Sequence, residues 1–275
     1  MSKTLFIAAA AIAAVSGAGA AQAHTEVSLK NIAARVVVIP ENRPDVDLRV
    51  VYGKAKIPVI MVHTEGSRLV ADGKLGNHGV NCKADGANVP GLGFVAMADL
   101  PTIYIRTPMD AKVSAGGATW GEVRASQSLD LGEGGCGKWT VGDVSGKAEI
   151  SIGGSGDVTA GKMGDAEVNI GGSGNFYGGT AQSLEANIGG NGDISLTSVD
   201  GPVEVNIGGS GNVKIDSGQS PKLEVNIAGS GDVRHGGTVR DLEVNIVGSG
   251  DVRVHAVTGN VSRSIMGSGK VIIGQ

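Results

Sequence analysis

The chain has 275 residues, 47 of them glycine, with 3% aromatic residues, 18% charged residues and a formal charge of −4. The glycines follow no G-X-Y register, which excludes a collagen-like helix, and 41% apolar content excludes a disordered tract. There is no basic tract and no interleaving of aromatic with basic residues, so nucleic acid is excluded as a partner.

Residues 1–23 read as a signal peptide. Lys3 supplies the positive start, Leu5 to Val15 the apolar run, and Ala21-Gln22-Ala23 the small-residue cleavage site ahead of His24. The run is shorter than the roughly 20 apolar residues a span requires, so export is expected rather than anchoring. No later segment is suited to cross a bilayer as a helix. The mature chain is expected to have no transmembrane segment and to reside in the periplasm, at the cell surface or outside the cell.

Residues 24–111 are expected to form irregular β coils and a cap. RVVVI from Arg35 and DVDLRVVY, with Val46, Leu48, Val50 and Tyr52 on one face, precede PVIMVHTEGSRLVADG, where Glu65-Gly66-Ser67 is a turn between β-rich runs. TIYIR follows Asp99-Leu100-Pro101. The glycine-rich stretch 73–93 is read as the most loop-like part. KVSAGGATW and SLDLGEGGCG read as decayed copies of a later phrase, with Ala115 and Leu131 in its isoleucine position and Trp120 facing outward. Trp139 is too poorly aligned to place. Cys82 and Cys136 are the only cysteines; in an exported chain the even pair is read as one disulfide, against two buried thiols or a metal site with poor ligand spacing.

Residues 112–275 are the regular part, continuous with what precedes. One phrase recurs, as EISIGGSGDV, EVNIGGSGNF, EANIGGNGDI, EVNIGGSGNV, EVNIAGSGDV, EVNIVGSGDV and SRSIMGSGKV, with marker residues Ile152, Ile170, Ile188, Ile207, Ile227, Ile246 and Ile265. The markers stand 18 to 20 residues apart, the period of a solenoid. Within a phrase the apolar residues alternate, so Val168, Ile170 and Phe176 share one face and Glu167, Asn169 and Asn175 the other; period two means strand. A lone strand of this kind cannot bury its apolar face, but coils stacked roughly 4.8 Å apart can. The fold class is therefore all-β, a single-stranded parallel β-helix with coils of 18–20 residues. The long Gly-Ser-Gly corner argues against a left-handed hexapeptide helix. An acid only once per coil argues against a calcium-loaded nonapeptide roll.

Stacking turns each position of the phrase into a column. Asn169, Asn187, Asn206, Asn226 and Asn245 form an amide ladder that fixes register. Ser155, Ser173, Ser210, Ser230, Ser249 and Ser268 are expected to bond local backbone in the bend. Glu149, Glu167, Glu185, Glu204, Glu224 and Glu243 place like charges opposite one another, which is destabilising without basic neighbours such as Lys147, Lys222 or Arg240. This column is the candidate binding face. Weak divalent-cation binding is its alternative use, and no cofactor is implied. Toward the last coil the position after the marker changes from Gly208 to Ala228, Val247 and Met266, a small apolar patch, while Arg263 replaces an inward valine over the open end.

No constellation points to catalysis. His24, His63, His78, His235 and His255 are scattered, and His235 falls at an inward position. Coils that vary by two residues leave little material for a cleft. The repeated phrase, with the preceding ENRPDVDLRVVYG and GSRLVADG, resembles the bacterial family described as auto-transporter adhesin, head GIN domain, from about Arg35 to Gln275. The resemblance implies a right-handed parallel β-helix exposed on, or exported through, a bacterial envelope, and it transfers no activity. No segment long enough for a membrane barrel is seen, so self-translocation is not expected. The function expected is a non-enzymatic, adhesion-like binding module that engages envelope polysaccharide or another envelope protein. A structural envelope protein without a specific ligand is the alternative, and a polysaccharide-active β-helix enzyme stands behind both. The sequence leaves the oligomeric state open.

Overall fold

A computed structural model describes residues 25–76 and 80–274, so the expected signal peptide and both His24 and His78 lie outside the described residues. In chain order the strands begin with β1 (Glu26–Pro40), β2 (Asp47–Val51), β3 (Met61–Glu65), β4 (Arg68–Asp72), β5 (Asn81–Lys83), β6 (Gly86–Val89) and β7 (Gly93–Ala96). Then come β8 (Thr102–Thr107), β9 (Asp110–Val123), β10 (Ser128–Glu133) and β11 (Cys136–Val141), and the remaining strands run from Ala148 to Ile273. A single turn of 3₁₀ helix, Met97–Asp99, interrupts the β structure among the described residues.

From β9 onward the chain is a stack of parallel coils in the register expected from the phrase. Glu149 pairs with Glu167, then Glu185, Glu204, Glu224 and Glu243, and the marker isoleucines pair in the same order from Ile152 to Ile265. Each coil runs along one strand, turns through the Gly-Ser-Gly corner, and runs along a second strand such as Asp157–Ala160 or Phe176–Ala181, which stacks in parallel on its counterparts. The alternation of the phrase decides what is buried. Ile150, Ile152, Val168, Ile170, Ala186 and Ile188 lie inside, while the intervening Glu and Asn side chains stay outside. Burying one aliphatic side chain is worth about 1.5–3 kcal/mol, which repeated down each inward column holds the stack together.

The first coils are not stacked in chain order. β1 lies between β9 on one edge and β4 and β8 on the other, all parallel. The chain therefore starts one coil in from the end and builds the outermost coil afterwards from β4 and β8. Onto the free edges of these strands it lays β2 and β3, both antiparallel. An open parallel edge presents unpaired N–H and C=O groups, and the two antiparallel strands satisfy them. The β3–β4 hairpin turns at Gly66, whose φ of 62° suits glycine at the turn expected from Glu65-Gly66-Ser67.

Two readings of the sequence need correction. Residues 81–96 are not loop: β5, β6 and β7 form a small antiparallel sheet. Ala87, Val89 and Val95 bury themselves with Ala33, Leu100 and Ala118 in a second apolar cluster, on runs too short and too glycine-rich to show a period. The isoleucine column also passes through Glu133 rather than Leu131, since Glu133 pairs with both Ala115 and Ile152. A slip of two residues keeps every side chain on its own face, so alternation alone could not distinguish the registers, and Leu131 is the more isoleucine-like occupant.

At the other end the strand Val261–Gly267 is exposed along its length. Arg263 pairs with the inward Val244, and Val247 and Met266 are 57% and 72% exposed.

Candidate binding faces of the solenoid

The outer face of the first strand of each coil carries the Glu and Asn columns side by side. Asn187 Nδ2 donates to Asn169 Oδ1 at 2.9 Å, and Asn206, Asn226 and Asn245 each donate to the preceding Asn at 3.0 Å. The same amides also reach the glutamate two residues back, at 3.3 Å for Glu167, 3.2 Å for Glu185 and 3.1 Å for Glu204. In Asn187 and Asn206 both Nδ2 hydrogens are thus used within the protein. The ladder sets the register and leaves the carboxylates as the groups on this face with oxygens to spare.

Two lysines neutralise the ends of the Glu column and leave its middle charged. Lys147 Nζ lies 3.3 Å from Glu149 and 2.7 Å from Glu167; Lys222 Nζ lies 2.7 Å from Glu224 and 3.4 Å from Glu243. Hydrogen bonding to these lysines holds the Glu167 and Glu224 carboxyls below the usual glutamate value and raises both lysines. Glu185 and Glu204 form no ion pair among the described residues. Arg240, expected to help, is instead turned to Asp241 at 2.8 Å. The column begins one coil earlier than the sequence suggested, at Asp130, whose carboxyl is raised by burial and then by the neighbouring Glu149. Between Lys147 and Lys222 the column and the adjoining Asp165 and Ser183 line a shallow groove of about 490 Å³.

A second ladder at the corner was missed by sequence reasoning. Asp157 Oδ1 accepts from the Asn175 amide N at 3.0 Å, Asn175 Oδ1 from Asp193 N at 3.0 Å, and Asp193 Oδ1 from Asn212 N at 2.8 Å. It continues from Asn212 to Asp232 at 2.9 Å, from Asp232 to Asp251 at 2.7 Å and from Asp251 to Lys270 at 3.0 Å. The signal was present, because the residue after the third glycine is Asp or Asn in every coil from Asp157 to Asp251. Both side chains place an acceptor oxygen within reach of a backbone amide. Alternation of Asp with Asn spaces the charges, and where two acids do meet, Arg253 lies 3.5 Å from Asp232 and 2.8 Å from Asp251. In the adjoining serine column it is the amides that bond, such as Ser173 N to Gly154 O at 2.9 Å and Ser210 N to Gly190 O at 3.1 Å, and the hydroxyls point to solvent.

Cys82 and Cys136 are joined, as expected, across a separation of 54 residues. The bridge ties β5 to the corner leading into β11 and so fastens the small sheet to the solenoid. Trp120 faces outward and is half-buried against this lobe. Trp139 is fully buried, its ring over Gly121 and its Nε1 donating to Thr119 Oγ1 at 3.0 Å.

Among the described residues two buried titratable groups, His235 and Glu133, interrupt the apolar interior. His235 accepts the Gly237 amide at Nδ1 (3.2 Å), which leaves its Nε2 hydrogen for Ser220 Oγ at 3.1 Å; burial lowers its pKa, so the ring is neutral. Glu133, only 1% exposed, accepts the Gly135 amide at 3.0 Å through Oε1, while Oε2 has no partner. Burial pushes its carboxyl up, against the opposing effect of the Gly135 and Gly156 amides. His63 and His255 stand far from both in sequence. Among the described residues no three or more His, Cys, Asp or Glu side chains converge on a metal-sized site. Nor is any helix among them long and apolar enough to cross a membrane.

Comparison with known proteins agrees with this architecture. A crystal structure of a putative adhesin from Parabacteroides distasonis resembles the chain with a TM-score of 0.55 and 15% identity, over 92% of this chain and 93% of that one, a likeness of fold alone. A putative lipid binding protein from the same organism gives a TM-score of 0.45 at 19% identity, covering 92% and 93%. No curated protein matches. Residues 181–274 match the family described as "Putative auto-transporter adhesin, head GIN domain", so the later coils are similar to that family.

Proposed function

We propose that the chain is an exported, non-enzymatic binding module of a bacterial envelope, delivered by residues 1–23, whose stacked Glu–Asn face engages an extended partner with a repeating structure of its own, an envelope polysaccharide. The observation that carries this reading is the unneutralised middle of the Glu column. Glu185 and Glu204 stand in register on consecutive coils, held by their asparagines at 3.2 and 3.1 Å, with no basic side chain paired to them among the described residues. Carboxylates fixed in this way offer strong acceptors for sugar hydroxyls at one coil spacing. Individually weak contacts add along the stack. The adhesin descriptions of the family and of the similar structure support the same reading.

Coil deletion tests it. Removing residues 185–203 takes out one coil in register, and removing 185–223 takes out two. Each variant is checked for an intact β spectrum and then titrated with envelope polysaccharide. Affinity falling stepwise with each coil is the expected result. All-or-none loss would point to a single local site, and cleavage of the glycan by the intact protein would show an enzyme instead.

A further inference from the structure

At the outermost N-terminal coil the repeat gives way to three strands of unlike sequence, β1, β8 and the antiparallel β2. Their outward side chains surround a cleft of about 560 Å³ lined by Ile39, Asp47, Arg49, Val51, Tyr104 and Arg106. That volume is within the range of small-ligand sites. The register explains why these residues meet. Arg49 is the direct cross-strand partner of Tyr104, Asp47 of Arg106, and Ile39 lies beside Arg106 on the other edge of β8. Directly opposed side chains on one face start about 4.5–5.5 Å apart, so Arg49 stands next to the Tyr104 ring and Arg106 is the following outward residue on the same strand.

The charges of this group are not used up within the protein. Arg49 forms no ion pair among the described residues. Arg106 approaches only Glu41, at 3.9 Å, and Glu41 is already held by Arg43 at 3.2 Å. Asp47, although opposite Arg106 in the ladder, forms no ion pair with it. Two guanidinium groups against one carboxylate make the cleft locally positive on a chain whose formal charge is −4. Tyr104 is 40% exposed, its ring uncovered between them, and Ile39 and Val51 supply an apolar floor. A planar fork suited to carboxylate, an aromatic face suited to the C–H side of a sugar ring and an acid able to accept hydroxyls are the three elements needed to hold a carboxylated pyranose.

We propose that this cleft binds a uronate residue of an acidic polysaccharide. Arg49 and Arg106 grip its carboxylate, Tyr104 stacks on its ring, and Asp47 accepts from a ring hydroxyl. The site is separate from the Glu–Asn face and does not depend on the function proposed above.

Calorimetry on the intact chain with trigalacturonate as probe, and maltotriose as its neutral counterpart, tests the assignment. Trigalacturonate should bind with an affinity that falls as salt rises, and maltotriose should not displace it. Arg49→Gln and Arg106→Gln should each weaken binding about 10- to 100-fold, the value of a charged hydrogen bond. Tyr104→Ala should weaken it as well, and Tyr104→Phe, which keeps the ring, should not. All three substituted side chains are on the surface, and unchanged thermal melting of each variant separates loss of binding from loss of fold. Deleting residues 185–203 should leave trigalacturonate binding intact, so this proposal and the preceding one fail independently. Absence of trigalacturonate binding overturns the assignment, as does binding unaltered by the paired Arg49→Gln and Arg106→Gln change. Equal displacement by inorganic phosphate with no effect of Tyr104→Ala would reduce the cleft to a general anion site and overturn it too.

Discussion

The three glycines of one corner, Gly189, Gly190 and Gly192, should respond to alanine in opposite ways. A methyl group on Gly189 meets nothing within 4 Å, whereas on Gly190 it would run into the Gly172 carbonyl oxygen and on Gly192 into the Gly174 carbonyl oxygen. Both obstacles are backbone atoms of the neighbouring coil, so neither can swing aside. Relief requires the coils to part, which sacrifices the bonds from Asn191 N to Gly172 O (3.0 Å) and from Gly189 N to Ile170 O (2.8 Å). Two such bonds contribute about 1 kcal/mol each, so Gly190→Ala should cost at least about 2 kcal/mol. Gly192→Ala should behave similarly. Gly189→Ala loses no contact and restricts the unfolded chain, which should stabilise by about 0.4–1 kcal/mol. Urea unfolding followed by tryptophan emission and by far-ultraviolet circular dichroism measures all three. Equal midpoints for Gly189→Ala and Gly190→Ala would refute the reasoning.

Replacing Cys82 and Cys136 together by serine releases a loop with a separation of 54 residues, worth about 4 kcal/mol if the bridge acts through the entropy of the unfolded chain. Hydrogen exchange should rise in residues 80–101 and remain slow in the coils after Ile152; faster exchange everywhere, or nowhere, would contradict the role of the bridge as a local fastening. Glu133→Ile places the column's own residue beneath Gly156, as Ile152 already lies beneath Gly174, and should stabilise the protein at pH 7 by about 1–3 kcal/mol, the cost of a buried polar group without a full set of partners. Because burial raises the folded-state pKa of Glu133, the native protein holds this proton more tightly than the unfolded chain. Wild-type stability from this group is therefore greatest in acid and declines as pH rises from the ordinary glutamate value through the raised one. The advantage of Glu133→Ile should shrink below that window to the cost of burying the neutral carboxyl, and a pH-independent difference would show that ionisation of the carboxyl is not responsible.

The opposite behaviour of the corner glycines also explains what the sequence made legible. The columns through Gly190 and Gly192 are glycine in every recognisable copy, because each abuts a carbonyl oxygen of its neighbour or, at Gly156, the Glu133 carboxyl. The Gly189 column opens to solvent and drifts to Ala228, Val247 and Met266. Period, register and inward faces follow from constraints that recur in each coil, and repetition lets a single chain display them. The N-terminal end offered no such redundancy. That β1 would be overlaid by β4 and β8 depends on pairings between segments about 40 to 70 residues apart, such as Glu26 with Arg68 and Arg35 with Thr102, and nothing in Arg35 to Ile39 distinguishes the edge bound by β8 from the edge bound by β9. The corner ladder was visible as an Asp/Asn restriction, but its meaning depended on an amide in the next coil.

A solenoid of matched coils limits where specific chemistry can arise. Every outward side chain of the repeat is imposed on copies of itself one strand spacing away, so a column can offer a periodic surface but hardly a converging set of different groups. The Glu–Asn face is of the first kind. Convergence requires the repeat to break, and the breaks in this chain cluster in its first half, where Glu133 interrupts the isoleucine column three residues before the bridged Cys136 and where β2 crosses β8 antiparallel. An antiparallel partner reverses the order of side chains along the edge, so Arg49 comes to lie opposite Tyr104 and Asp47 opposite Arg106, a mixture that parallel stacking of one phrase never produces. The extended surface and the compact cleft are therefore two consequences of a single topology, one periodic along the coils and the other a mixture of unlike groups where the chain turns back over its own end.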